Sequence, residues 1–423
     1  MSKKRIVIYG FTLLRDVASS LVLKKLLENR GAKVFIADSR NIKEVMKLWK
    51  PDALIINTVS KLKKFKLYYP DTKIIFLAGE GGEPELTHDA RYLATGYVRD
   101  IKRGNYKDNY NVIDQILLWG KHDLEIFNKY FPDDDKERII VGNPRLDLTK
   151  FRPNSLKLNN KTIGFISRFN MINSFNRNPL AKVLMYKGNL ERASLQANQF
   201  CVFWEIIRYL VNHTDYNISY RAYTLEAVDV IKNIFKNEFG DRVNVDSSLA
   251  FTEWVQKQKV IITPASTSFF EPYILGLPII NIDYLIGQKY VNKSKKLFPF
   301  ASYSYDVAYN PKSYDSLYAL LDKDLTSKQN NNIDQYLDLV HNYNTKSSAL
   351  KNAAVNIIRL LTSNKNTVWF RLPLFLFKII DWIHFRRTIY RNPSLEFFNY
   401  NEYHHKTPVY CKQVIKNIEF SED

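Results

Sequence analysis

Two stretches of this chain place reactive side chains where the backbone is set to turn. The first is Ala78-Gly79-Glu80-Gly81-Gly82-Glu83-Pro84-Glu85, three carboxylates among three glycines, directly after the apolar run 74–77. Activating a hydroxyl nucleophile takes a general base within hydrogen-bond reach, and a carboxylate on a flexible loop at a strand end can serve. Glu80, nearest the strand and flanked by glycines, is the candidate base, with His88 and Asp89 just downstream as alternatives. A solvated acidic turn is the plainer reading of the same loop. The second stretch is Thr263-Pro264-Ala265-Ser266-Thr267-Ser268-Phe269-Phe270-Glu271-Pro272. Ser266, Thr267 and Ser268 would set hydroxyls beside the free amides of a helix N-terminus, an arrangement that holds phosphate. N-capping by Ser266 or Ser268 uses the same end, so both readings stand. Glu271, one turn further on, is placed to reach a ribose. Arg168, after the run 162–166, is placed to meet a diphosphate or a sugar carboxylate, or is simply a surface arginine.

Other chemistries find no support. Gly10-Phe11-Thr12-Leu13 lacks the second and third glycines of a dinucleotide fingerprint, so no nicotinamide or flavin and no tightly bound cofactor is expected. The histidines show no HExxH or paired ligand spacing, and metal independence is expected. Cys201 and Cys411 are too few for a disulfide framework. A net charge of +19 draws anionic partners. Its lysines lie in short clusters, however, with no zinc-finger spacing, RNP-like strand or basic zipper, so nucleic acid is not expected as a partner. The start of the chain shows no apolar signal segment, and a cytoplasmic location is expected.

The elements that must position these residues are legible as short apolar runs. Runs at 6–10, 34–36, 53–56, 74–77, 113–118 and 139–141 alternate with segments of helical period, as do 162–166, 218–221, 243–245, 260–263 and 279–282. Short buried strands alternating with helices predict parallel sheets covered on both faces. A polar stretch with Pro153 and several asparagines divides the two series. The predicted class is α/β, with a Rossmann-like domain over 1–152, a second over 160–310, and a helical extension over 311–423. That extension interleaves aromatics (Trp369, Phe370, Phe375, Phe377, Trp382, Phe385) with Arg371, Lys378, Arg386 and Arg387. It is far short of the ~20 apolar residues that span a bilayer. It either lies on an anionic membrane surface or packs back on the first domain.

The order of hydroxyls, Glu271, then Gly276-Leu277-Pro278 and a strand resembles the donor-nucleotide motif of GT-B glycosyltransferases. Val141-Gly142-Asn143-Pro144-Arg145-Leu146-Asp147-Leu148 is similar to the Gly-x-Pro-Arg-x-Asp segment that closes the first domain of the bacterial surface-carbohydrate biosynthesis family, which builds capsule or lipopolysaccharide. More distantly the chain resembles sialyl- and Kdo-transferases and polyol-phosphate transferases. The likeness covers roughly residues 1–310. It implies a GT-B fold with a cleft between two Rossmann-like domains, the first binding the acceptor and supplying Glu80. The second would hold the nucleotide sugar with Ser266, Thr267, Ser268 and Glu271 and neutralise its phosphate with Arg221. One departure stands out: relatives that use CMP-sugars carry Arg-x-His-Pro after the second strand of the nucleotide domain, where this chain has Arg221-Ala222-Tyr223-Thr224. Tyr223 can donate a hydrogen bond to phosphate, but with a free pKa near ~10 it is a poor proton donor to a leaving group.

The expected activity is therefore transfer of a sugar from a CMP- or UDP-activated donor to a growing surface polysaccharide or lipid-linked glycan, at the inner face of the cytoplasmic membrane. Two alternatives share the architecture: a sugar-nucleotide 2-epimerase, and a non-catalytic polysaccharide assembly protein, which the tyrosine at 223 favours.

Overall fold

A computed structural model describes residues 3–9, 13–37, 41–57, 62–78, 107–153, 161–174, 190–223, 225–246, 248, 250–297, 303–362 and 407–421. Glu80, His88, Asp89, Gly10 and the stretch 369–390 lie outside them.

The chain opens with β1 (Arg5–Tyr9), α1 (Leu13–Asn29), β2 (Lys33–Ala37), β3 (Ala53–Ile56) and β4 (Lys73–Leu77). Next come β5 (Gln115–Leu118), α2 (Lys121–Tyr130) and β6 (Glu137–Ile140). The second series is β7 (Thr162–Ile166), α3 (Leu190–His213), β8 (Asn217–Arg221), α4 (Val228–Phe239), β9 (Val243–Asp246), β10 (Val260–Thr263) and β11 (Ile279–Asn281). Two late helices follow, α5 (Ala349–Thr362) and α6 (Val409–Phe420). Every apolar run marked in the sequence overlaps a strand. β5 begins two residues after Ile113, because Asp114 turns aside to accept the Ile74 amide (2.8 Å) and pair with Lys73 Nζ (2.7 Å).

The strands form two sheets in which all pairs are parallel. One has the order β2-β1-β3-β4-β5-β6 and the other β11-β10-β7-β8-β9. Both are doubly wound, Rossmann-like sheets, as the sequence leads one to expect. In the first, Val7, Phe35, Leu54, Phe76 and Ile116 pack with Trp49 and Trp119. In the second, Phe203 of α3 meets Phe165 and Phe169 edge to face at 5.1 and 5.2 Å, and Phe235 of α4 meets Tyr220 at 5.0 Å. Each fully buried ring contributes about 2–3 kcal/mol of apolar burial, with about 0.5–1.5 kcal/mol more from the edge-to-face geometry. Among the described residues, no helix is long and apolar enough to cross a membrane.

The chain divides into two compact units, Met1–Pro153 with Asp334–Asp423, and Asn154–Ile333. The first is thus built from two separated pieces of sequence, and the segment Gly142-Asn143-Pro144-Arg145-Leu146-Asp147 is where they join. The Asn143 amide donates to the His341 carbonyl (3.0 Å) and its side chain meets His341 Nδ1 (3.0 Å). Asp147, 3% exposed, accepts from Ser348 Oγ (2.6 Å) and the Leu350 amide (2.7 Å), so it closes the N-terminal end of α5. Burial pushes the Asp147 carboxyl up to about 6. Lys150 Nζ donates to the carbonyls of Tyr343 (3.0 Å), Ser347 (3.3 Å) and Thr345. α5 and α6 both pack on α1, and Tyr410 of α6 donates to the Leu148 carbonyl at 2.6 Å.

Gly142 is required at this joint twice over. Its φ is +101°, and a Cβ there would lie 3.0 Å from the Cβ of Ala349. Gly31, at φ +86°, has nothing within 4 Å of such a Cβ. Gly31→Ala is therefore expected to cost only backbone strain, about 1–2 kcal/mol, and Gly142→Ala about 1–3 kcal/mol more because α5 must shift. Urea unfolding of the two variants checks this; equal losses would show that the joint yields freely.

Candidate functional site

In an open parallel sheet the ligand crevice lies outside the carboxyl ends of the strands, where the strand order reverses. In the second unit that point falls between β7 and β10. Ser167 and Arg168 follow β7 there, and Pro264 to Ser268 follow β10. Arg168 donates from Nη1 to the carbonyl of Ala265. The amide of the same residue donates to Asp283 Oδ2 at 3.3 Å. Asp283 is fully buried and also accepts from Gln199 Nε2 (2.8 Å) and Tyr305 OH (2.5 Å). The Ala265 peptide is thus held at both of its polar atoms, which fixes the start of the hydroxyl segment.

Arg168 keeps part of its surface exposed, yet its guanidinium lies deep enough that burial draws its pKa down to about 10. The negative charge of Asp283 opposes that fall and the nearby Arg192, in the first turn of α3, adds to it. Arg168 and Arg192 thus bring two guanidinium groups near each other by the reversal of strand order.

The hydroxyl segment does what capping chemistry asks. Ser266, extended at φ −157°, accepts from the Ser268 amide at 3.2 Å and starts a 3-10 turn, Thr267–Phe269, which runs into the short helix Phe270–Ile274. Thr267 is exposed, and Ser266, Ser268 and Glu271 are half-buried. Arg168 and Ser266 are therefore neighbours around Ala265, with Thr267, Ser268 and Glu271 following in the chain.

Arg221 is placed differently. It is 6% exposed, paired with Asp246 of β9 and donating to Ser248 Oγ at 3.0 Å, with its guanidinium 5.9 Å from the centre of the Phe251 ring. β9 lies on the side of β8 away from β10, so the pairing turns this charge away from the reversal point. Tyr223 is 40% exposed, and its amide donates to Ser167 Oγ at 2.9 Å.

Glu226, assigned no role from sequence, is the organising group between these loops. It is 3% exposed and accepts from Ser167 Oγ (2.6 Å), the Phe169 amide (2.7 Å) and Tyr220 OH (3.1 Å). Arg168 sits between two residues fastened to this one carboxyl. The only sequence signal was an acidic residue just past the second strand of the unit, in a stretch otherwise able to bury itself.

With the fold and this geometry in hand, the chain is a two-unit parallel α/β protein with the GT-B architecture. No protein-family model and no curated protein matches it. Among solved structures, the wall teichoic acid polymerase TagF matches over 85% of this chain and 88% of its own, with a TM-score of 0.50 and 14% identity. The S. aureus MnaA–UDP co-structure matches over 87% of this chain and all of its own, at 0.48 and 13%. A glycotransferase of kitacinnamycin matches over 85% and 100%, at 0.43 and 11%. At these identities the likeness is one of fold.

Burial raises the Glu226 carboxyl from the ordinary 4.5 to about 7. The native state then binds more protons than the unfolded chain between those values, so the contribution of Glu226 to stability falls as pH rises from about 4.5 to 7. The size is on the order of 3 kcal/mol. Glu226→Gln, which keeps the shape without titrating, is expected to flatten that part of the profile. Thermal unfolding of both proteins between pH 4.5 and 8 checks it, and parallel profiles would remove Glu226 as the source.

Proposed function

We propose that the chain is a glycosyltransferase that uses a nucleotide-activated sugar, CMP- or UDP-linked, and passes the sugar to a growing surface polysaccharide or lipid-linked glycan. The observation that supports this most is the partly exposed Arg168, bonded to the Ala265 carbonyl directly before the Ser266–Ser268 segment, at the reversal of strand order in the second unit. In this reading Arg168 neutralises the phosphate that leaves, Ser266 to Ser268 and Tyr223 donate hydrogen bonds to it, and Glu271 receives the ribose hydroxyls. The burial of Arg221 on Asp246 makes it a supporting residue, and its expected role in neutralising phosphate passes to Arg168. Glu80, two residues after Ala78 in the sequence, would take the proton of the acceptor hydroxyl as that oxygen bonds to the anomeric carbon. The bond from that carbon to the phosphate oxygen breaks, and the nucleotide carries the electron pair away. No tightly bound cofactor or metal enters this scheme. The aromatic and basic stretch 369–390 would bring the enzyme to the anionic inner face of the cytoplasmic membrane, where lipid-linked acceptors lie.

Calorimetric titration with CMP, CDP, UDP and GDP is expected to single out one nucleotide. Arg168→Ala should then weaken it by about ten- to a hundredfold, the value of a charged hydrogen bond at 1.5–3 kcal/mol. Arg221→Ala should instead lower thermal stability, since it strands Asp246, and leave affinity within a few fold. The reverse pattern would return the phosphate to Arg221. Incubating the protein with the preferred nucleotide sugar and no acceptor separates the rival: a changed sugar in that tube indicates epimerisation at C2 and overturns the transferase reading.

A further inference from the structure

The first unit has its own reversal of strand order, between β1 and β3. A cavity of about 50 Å³ opens there, walled by Ile8, Ile56 and Leu77 at the strand ends. One face of α1 supplies Asp16, Ser19 and Ser20, spaced three and four residues apart and so on one side of the helix. Asn57 enters from the end of β3 and Arg145 from the Gly142–Asp147 joint. These groups come from three separate parts of the chain, and none was singled out as a ligand-binding residue from sequence.

Their setting limits what they can bind. Asp16 is 8% exposed, and the Asn57 amide approaches its Oδ2 at 3.5 Å. The Arg145 guanidinium lies 5.3 Å from the centre of the Trp119 ring, which orients it. The indole nitrogen of Trp119 is already committed to the Ala78 carbonyl at 2.7 Å. Behind the indole, 5.4 Å away, His341 is held neutral, its pKa drawn down to about 3 by burial and by Arg145. A carboxylate that accepts, an amide and a guanidinium that donate, and the Ser20 hydroxyl, which does both, form a mixed set, while the Ser19 hydroxyl already donates to the Asp16 carbonyl at 3.0 Å and is left to accept. Such a set matches neutral hydroxyl groups, each a donor and an acceptor at once. A phosphate or carboxylate would have to sit against Asp16. The apolar wall suits the C–H face of a sugar or polyol. The volume exceeds the ~10–15 Å³ that one water requires but falls well below the ~300 Å³ of an ordinary small-molecule pocket. It is of a size to take the hydroxyl-bearing edge of one sugar or polyol residue.

We infer that this cavity is a subsite for a neutral sugar or polyol edge, with Asp16 and Arg145 gripping its hydroxyls. Naming that group the acceptor rests on the transferase reading; its binding here does not. Saturation-transfer NMR on the full chain, with glycerol and N-acetylglucosamine as separate probes and inorganic phosphate as the anionic control, tests it. Both hydroxylated probes, or one of them, should receive magnetisation from the protein. That signal should fall at least fivefold in Asp16→Asn, which keeps the shape, and in Ser20→Leu, which fills the cavity from a half-exposed position. If one variant does not melt like the parent, the other decides. Unchanged signal in the folded variants, no signal from either probe, or loss of the signal to phosphate competition overturns the subsite. The titration of the same samples with the preferred nucleotide keeps the two readings apart. Nucleotide binding without probe binding removes the subsite alone. Probe binding that depends on Asp16 and Ser20, in a protein that takes no nucleotide, removes the donor reading and upholds the subsite.

Discussion

Parallel pairing is the constraint on which the rest of this structure depends. When every strand in a sheet runs the same way, every strand also ends on the same edge, and each return must cross over the face as a helix or long loop. Asn57, Ala78 and Trp119, which follow β3, β4 and β5, are thereby gathered at one edge of the first unit, and the residues that follow β7, β8 and β10 at one edge of the second. Arg168 and Ser266 are 98 positions apart in sequence and neighbours around one peptide for this reason alone.

The same constraint explains what the sequence disclosed. A strand covered on both faces reads as an unbroken apolar run, so the strands and their parallel class were visible in residues such as Ile6-Val7-Ile8 and Val260-Ile261-Ile262. Hydroxyls after a strand were also visible, since capping and anion binding call for the same side chains. Pairings made across the sheet were not. Arg221 reads as an available cation until register sets it opposite Asp246, and no local pattern marks that partner. Glu226 reads as one more acidic loop residue, and only burial among Ser167, Phe169 and Tyr220 gives it a role. Asp16 and Ser19 look like the ordinary polar face of a helix. The acidic loop with Glu80, and the aromatic stretch 369–390, fall outside the described residues, so their sequence readings enter only as proposals.

Buried carboxyls do the fastening in both units of a strongly basic chain. Asp147 receives the start of α5, Glu226 joins the exits of β7 and β8, and Asp283 holds the Ala265 amide. A carboxylate can accept several bonds at once, and its desolvation is offset only when it does so. Each of the three accepts at least two, which is why removing one partner would disturb more than one loop. The positive charge left at the surface is free to act at longer range, on the anionic substrates and surfaces proposed above.

The joint at Asp147 carries a consequence for biosynthesis. The second unit is one uninterrupted length of sequence, Asn154–Ile333, while the first needs residues from both sides of it. As the polypeptide leaves the ribosome, the later-numbered unit has all its strands available before the earlier one can receive α5 and α6. Vectorial synthesis thus reverses the usual order in which the leading domain finishes first. Until residues past 349 emerge, α1 has an apolar side without its cover, and the nascent chain must be kept from aggregating through a surface that the finished protein never presents.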